Sequence, residues 1–294
     1  MKPIVALLVA LFSAGALIAQ DHKSPAAEKP ATLMEGMGRL HHPIATSNPE
    51  AQKFFDQGLT LVYGFNHAEA IRSFKRASEL DPKAVMPLWG IALALGPNYN
   101  LDVDPAAEKA AFDAGQRALA AAAGAPENER AYVQAVVTRY TNDPKADLKK
   151  LAVAYKDAMK ALHESYPDDL DAATLYAESL MLLNPWRLWN LDGKPAAGTE
   201  EIVSVLESVL SRDPQHVGAN HYLVHALEAS PHPERALPSA VALETLVPNA
   251  GHLVHMPAHI FMRTGDYAGA SKANSTAAKV DETYIRTNHV QGVY

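Results

Sequence analysis

Small and apolar residues recur at helical spacing from Ala51 onward. Between 51 and 82 they stand at Phe54, Gly58, Leu61, Ala70, Phe74 and Ala77, with Pro82 closing the window. Steps of three and four residues mark one face of an α-helix, so this window predicts a pair of helices. Thr46-Ser47-Asn48-Pro49-Glu50 supplies the start, with capping side chains and a proline suited to a first turn. The next window opens on VMPLWGIALAL, a second first helix carrying Trp89 and Ala92. Gly96 through Pro105 interrupt it before an alanine-rich helix over about 106–123. Further helices are predicted over 127–141, 148–165, 170–183, 200–211, 217–228 and 251–263, with Asn184-Pro185 opening a loop that carries Trp186 and Trp189.

A longer period overlies the helical one. Pro214 and Pro248 stand 34 residues apart, as do Ala236 and Ala270. The small residue of the first helix, the Ala and Phe of the second and the closing Asp-Pro together resemble the tetratricopeptide repeat, with Phe54 in place of its early Trp. Gly265-Asp266-Tyr267 followed by Ala270 and Ala277 resembles it again. The likeness is good over 51–84 and 217–284 and loose over 85–216. The expected class is therefore all-α, a helix–turn–helix repeat solenoid with an irregular middle. A single helix pair cannot bury its apolar face alone, and stacked neighbours share one core. The resemblance further implies a superhelix whose first helices line a concave groove, and a protein or peptide bound there.

Residues 1–19 pair an early cation, Lys2, with an apolar run from Ile4 to Ile18 and small residues after it. That is the pattern of a secretory signal, and the run is short for a bilayer span. A periplasmic or secreted protein with no membrane attachment after cleavage is expected. Residues 20–50 read as a linker and N-terminal extension, with His41-His42 taken as part of the linker, and 51–284 as the repeat domain. Repeat arrays need a polar closing element, so 285–294 read as the start of a C-terminal part that continues beyond this sequence.

The chain of 294 residues has no cysteine, which excludes disulfides, thiolate metal sites and c-type haem. A net charge of −7 without a basic run argues against a nucleic-acid partner. Thirteen histidines then stand out. His221/His225 and His255/His259 are two i, i+4 pairs set 34 residues apart, so each pair shares a helix face and the repeat brings equivalent faces together. His252 lies one turn before His255, and Glu228 about one turn beyond His225, as a further ligand or an outer partner of the imidazoles.

Imidazole with carboxylate suits zinc, copper, nickel or iron, and zinc or copper is the expected metal. Met256 and Met262 keep copper(I) within reach. Two readings need no metal: inheritance of the pattern by repeat duplication, and Pro257, whose place between His255 and His259 would break or start a helix. Arg263, Trp186 and Trp189 are the candidate wall and anchor for a small ligand in the groove. No Gly-rich phosphate loop, HExxH pair or nucleophile-elbow serine is present. The leading expectation is thus an exported scaffold that binds a protein or peptide in a histidine-lined groove, with a transition metal as the sharpest addition. The alternatives are a metal-dependent hydrolase or oxidoreductase, with Glu228 the only nearby general base, and a receptor for a small anion.

Overall fold

Each helix start carries its own chemical cause. In the computed structural model, which describes residues 31–103 and 105–288, Asn48 Oδ1 accepts from the backbone of Glu50 at 3.0 Å and caps α1 (Pro49–Tyr63). Asn66 does the same for α2 (His67–Leu80), and α3 (Met86–Ala94) begins on Pro87. Then come α4 (Pro105–Ala121), α5 (Glu127–Val137), α6 (Leu148–Ser165) and α7 (Leu170–Met181), the last two capped by Asp147 and Asp169. The chain continues through α8 (Thr199–Arg212), α9 (Val217–Leu227), α10 (Leu237–Leu246), α11 (Gly251–His255), α12 (Pro257–Thr264) and α13 (Tyr267–Asn288). The described residues contain no strand, so the all-α helical solenoid is the architecture. The signal segment 1–19 and residues 289–294 lie outside the described residues.

Consecutive helices from α1 to α10 pack against one another, and α11 and α12 both pack on α13. At the start of the array the small residues are small for a packing reason. A methyl group added at Gly58 or at Gly90 would come within 2.5–2.8 Å of the Phe74 ring. The Phe74 ring is thus wedged between α1 and α3, where no larger side chain fits. The array curls far enough for α1 to touch α9. Tyr284 on α13 reaches back to α2, its hydroxyl donating to Glu69 at 2.8 Å.

Three sequence expectations are corrected. Residues 31–48 are not a free linker: Gln57 accepts from the backbone N–H of Met34 at 2.7 Å and donates to the Thr32 carbonyl at 3.0 Å. Ala31, Met37, His42 and Ile44 are buried in the same segment. An extended strap has no periodicity, which is why its burial is invisible in the sequence. The helix expected over 127–141 ends at Val137. The helix expected over 251–263 is split at Met256, because Pro257 has no N–H to continue the ladder.

Candidate metal centre

Helix α9 is buried along its whole length and carries His221 and His225 inward. Its start is held by His216, whose Nδ1 accepts from the Ala219 N–H at 3.1 Å. His252 and His255 come from α11 and His259 from α12. Because Met256 keeps helical torsion angles at the Pro257 break, His255 and His259 stay on one face. Their Nε2 atoms are 2.9 Å apart.

The five imidazoles close into a circuit. Going round from His221 to His252, His255, His259, His225 and back to His221, the ring centroids are 4.9, 6.0, 4.8, 5.6 and 4.9 Å apart. The Nε2 atoms of His221 and His252 are 3.1 Å apart. One ring nitrogen each of His221, His225 and His252 lies within 4.8 Å of the others, an arrangement that can hold a metal ion. The rings were expected along an open groove. Instead His221, His225 and His252 are buried, with His255 and His259 half-buried.

The partners on the far side of each ring fix which nitrogen carries the proton. A carbonyl or an ionised carboxylate only accepts. His221 Nδ1–H donates to the Tyr63 carbonyl at 2.6 Å. His225 Nδ1–H donates to Glu228 Oε1 at 2.8 Å, and His259 Nδ1–H donates to Glu228 Oε2 at 2.5 Å. His255 Nδ1 faces Asn274 Oδ1 at 2.6 Å. A neutral imidazole has one N–H, so these four rings present bare Nε2 lone pairs to the interior of the circuit. Burial lowers the basicity of His221, His225, His252 and His255, and for each the neighbouring histidines lower it further. The Nε2 of His225 is buried without a hydrogen-bond partner.

Aromatic rings press on this circuit from two sides. The Phe65 centroid lies 4.5 Å from His221, 5.1 Å from His252 and 5.9 Å from His225. Tyr99 stands 5.0 Å and Trp186 5.8 Å from His225. Phe65 (φ +58°) and Trp186 (φ +60°) are the non-glycine residues of positive φ among the described residues. Bulky side chains avoid that region, and such strain gathers at functional sites. Here both strained residues aim a ring at the same histidine.

Beyond His225 and Glu228 lies a cavity of about 200 Å³ whose wall includes Tyr99, Trp186, Trp189 and Arg263. All three candidate groove residues therefore meet at one place. Trp189 is tied to the helix behind it, its Nε1–H donating to the Ala226 carbonyl at 2.7 Å, whereas Trp186 and Arg263 are exposed. Glu228 uses both oxygens to hold His225 and His259, so it is an outer partner of the imidazoles and not a free general base. Met256 is packed in the core and Met262 is exposed. The donors gathered here are nitrogen.

Neither a protein-family model nor a curated protein matches this chain.

Sequence reasoning missed a second polar cluster nearby. The buried Asp171 accepts from the Tyr63 hydroxyl at 2.6 Å, from His42 Nδ1–H at 2.8 Å and from His216 Nε2–H at 3.2 Å. Asp169 beside it accepts from the Tyr132 hydroxyl at 2.8 Å and from the Ala172 N–H at 3.0 Å. Although His42, Asp169 and Asp171 are close enough for a metal, every carboxylate oxygen already has a donor. This cluster ties the N-terminal strap to α7 and α9. His41-His42 would have pointed to it had a buried carboxylate partner been sought. Phe65, Tyr99 and Asn274 carried no signal in the sequence.

Proposed function

We propose that this chain is an exported metal-binding helical-repeat protein of the tetratricopeptide type, whose five-histidine circuit holds zinc or copper. The observation that carries the reading is the His255–His259 contact. Two Nε2 atoms 2.9 Å apart, each on a ring whose Nδ1 faces Asn274 or Glu228, bring two lone pairs together when both rings are neutral. A bound metal ion compensates two facing lone pairs, as a proton shared between the rings also would. Imidazoles around zinc bind at about 2.0–2.1 Å, which for a tetrahedral ion sets their nitrogens roughly 3.3 Å apart. The pairs at 2.9 and 3.1 Å lie close to that separation. Nitrogen donors favour zinc and copper over magnesium or calcium.

The tetratricopeptide assignment rests on the repeat spacing and on the Gly58–Phe74–Gly90 packing. Export rests on the signal pattern of residues 1–19. The repeat resemblance also supports a protein or peptide partner on the concave surface. The cavity beside His225, with Arg263 on its wall, favours as a second reading a centre that also admits a small anion. Thermal unfolding of untagged protein tests the metal reading. Zinc or copper should raise the melting temperature of the wild type and not of a His221→Ala/His255→Ala variant, because a ligand that binds only the native state stabilises it. A wild-type melting temperature indifferent to zinc, copper and nickel would sink the proposal.

A further inference from the structure

The cavity beside the histidine circuit is apolar at its floor and charged at its mouth. Tyr99 and Leu188, 4% and 3% exposed, form the floor. Trp189, pinned through Nε1–H to the Ala226 carbonyl, is half-buried. Trp186, Ala229 and Arg263 are exposed and make the mouth. Aromatic rings thus line much of a space of about 200 Å³. An apolar cavity of about 150 Å³ already admits benzene, so one six-membered ring with a short arm fits here.

Besides His225, the ionisable side chains that set the charge of this wall are Glu228 and Arg263, and they are not equivalent. Each Glu228 oxygen already accepts an imidazole N–H, one from His225 and one from His259. Arg263 makes no hydrogen bond or ion pair with another described residue, so its planar fork of donors is open to solvent. A cationic occupant would meet repulsion from Arg263 and an acceptor already in use. An anionic one meets an unpaired guanidinium, which can take a carboxylate through two parallel bonds. We infer that this cavity binds a small aromatic carboxylate, its ring inward against Tyr99, Trp186 and Trp189 and its carboxylate at the mouth on Arg263. A bare inorganic anion would satisfy Arg263 but leave the apolar floor unfilled. The inference names the ligand class for the small-anion reading of this cavity and rests on it. No imidazole nitrogen is used, so it stands apart from the metal reading.

Tryptophan fluorescence of the metal-free wild type, titrated with benzoate and phenylacetate, tests the inference, since Trp186 and Trp189 line the cavity. At least one of the two should bind saturably. Benzyl alcohol keeps the ring without the charge, and acetate keeps the charge without the ring. Each should bind about tenfold or more weakly than the aromatic carboxylate, as expected for a lost charged hydrogen bond or lost apolar contact. Arg263 lies on the surface, so Arg263→Gln should fold as the wild type does and bind the carboxylate no better than the alcohol. Ala229→Phe, which fills the mouth and leaves Arg263 in place, should abolish binding. Acetate binding as tightly as the aromatic carboxylates overturns the inference and leaves the small-anion reading standing. No binding by any carboxylate overturns both. Full affinity in the Arg263→Gln variant, or equal binding of benzyl alcohol, also overturns the inference.

Discussion

Tyr63 holds His221 by its backbone and Asp171 by its side chain: its carbonyl accepts from His221 Nδ1–H at 2.6 Å while its hydroxyl donates to Asp171 at 2.6 Å. The histidine circuit and the buried aspartate are therefore joined through one residue at the end of α1. Asp171 is buried and accepts from three donors, so Asp171→Asn leaves donors unmatched. Denaturant unfolding should show a loss of about 3 kcal/mol or more. A variant as stable as the wild type would mean that the cluster bears no load.

The pH dependence of the same cluster has a definite sign. Burial alone would lower the His42 imidazole, but the hydrogen bond and charge of Asp171, with Asp169 and Asp56, raise it above 6.5. Burial would raise the Asp171 carboxyl, but bonds and charge from His216 and His42 hold it far below 3.8. A raised histidine contributes stability that is fully present below 6.5 and is lost as pH rises through its folded value. A depressed aspartate contributes stability present above 3.8 and lost as pH falls. Both act together between those limits. His42→Gln should therefore cost most near about pH 5 and progressively less toward about pH 9, read from urea midpoints. A cost that grows with pH contradicts this.

Glu178 has the opposite sign. Burial pushes its carboxyl up to about 7, against the pull of Arg139. Ionising it in the folded chain costs free energy, and the cost develops as pH rises from 4.5 to about 7. Glu178→Gln should match the wild type in stability near about pH 4 and exceed it above about pH 8, by on the order of 3 kcal/mol. Equal melting temperatures at the higher pH would contradict the assignment.

The wedge at Phe74 predicts a paired effect. Gly58→Ala places a methyl group 2.5–2.8 Å from that ring, and overpacking of this kind costs about 1–3 kcal/mol. Phe74→Leu should recover part of the loss in the double variant, measured as a coupling energy. Simple additivity would mean that the ring and the glycine do not meet.

What could be read in advance follows the range of each signal. The helical repeat pattern was legible because Pro214/Pro248 and Ala236/Ala270 are each set 34 residues apart, and the histidine pairs because i, i+4 spacing survives any helix packing. Even Pro257 left that spacing intact, since it bends the backbone between α11 and α12 without turning His259 away from His255. The rest depends on contacts between distant positions. Tyr63 meets Asp171 across 108 residues and His221 across 158, with no periodicity to announce either. Phe65 and Trp186 take part through backbone conformations that their residue types disfavour, and propensity points away from both. The N-terminal strap has no pattern to distinguish it from a linker, although its His42 is among the better-held side chains of the fold.

Glu228 tests how the centre is held. Because it anchors His225 and His259 from behind, Glu228→Gln should leave the helices folded and weaken zinc or copper binding roughly 10–100-fold. Calorimetric titration of both proteins measures it. Unchanged affinity would remove Glu228 from the centre.

The most direct measurement is the metal content of untagged protein after exposure to zinc or copper and exhaustive dialysis, compared with a His255→Ala/His259→Ala variant of equal helical content. The five-histidine circuit predicts stoichiometric metal retained by the wild type and lost from the variant. A wild type that emerges metal-free, or a variant that keeps its metal, would contradict it.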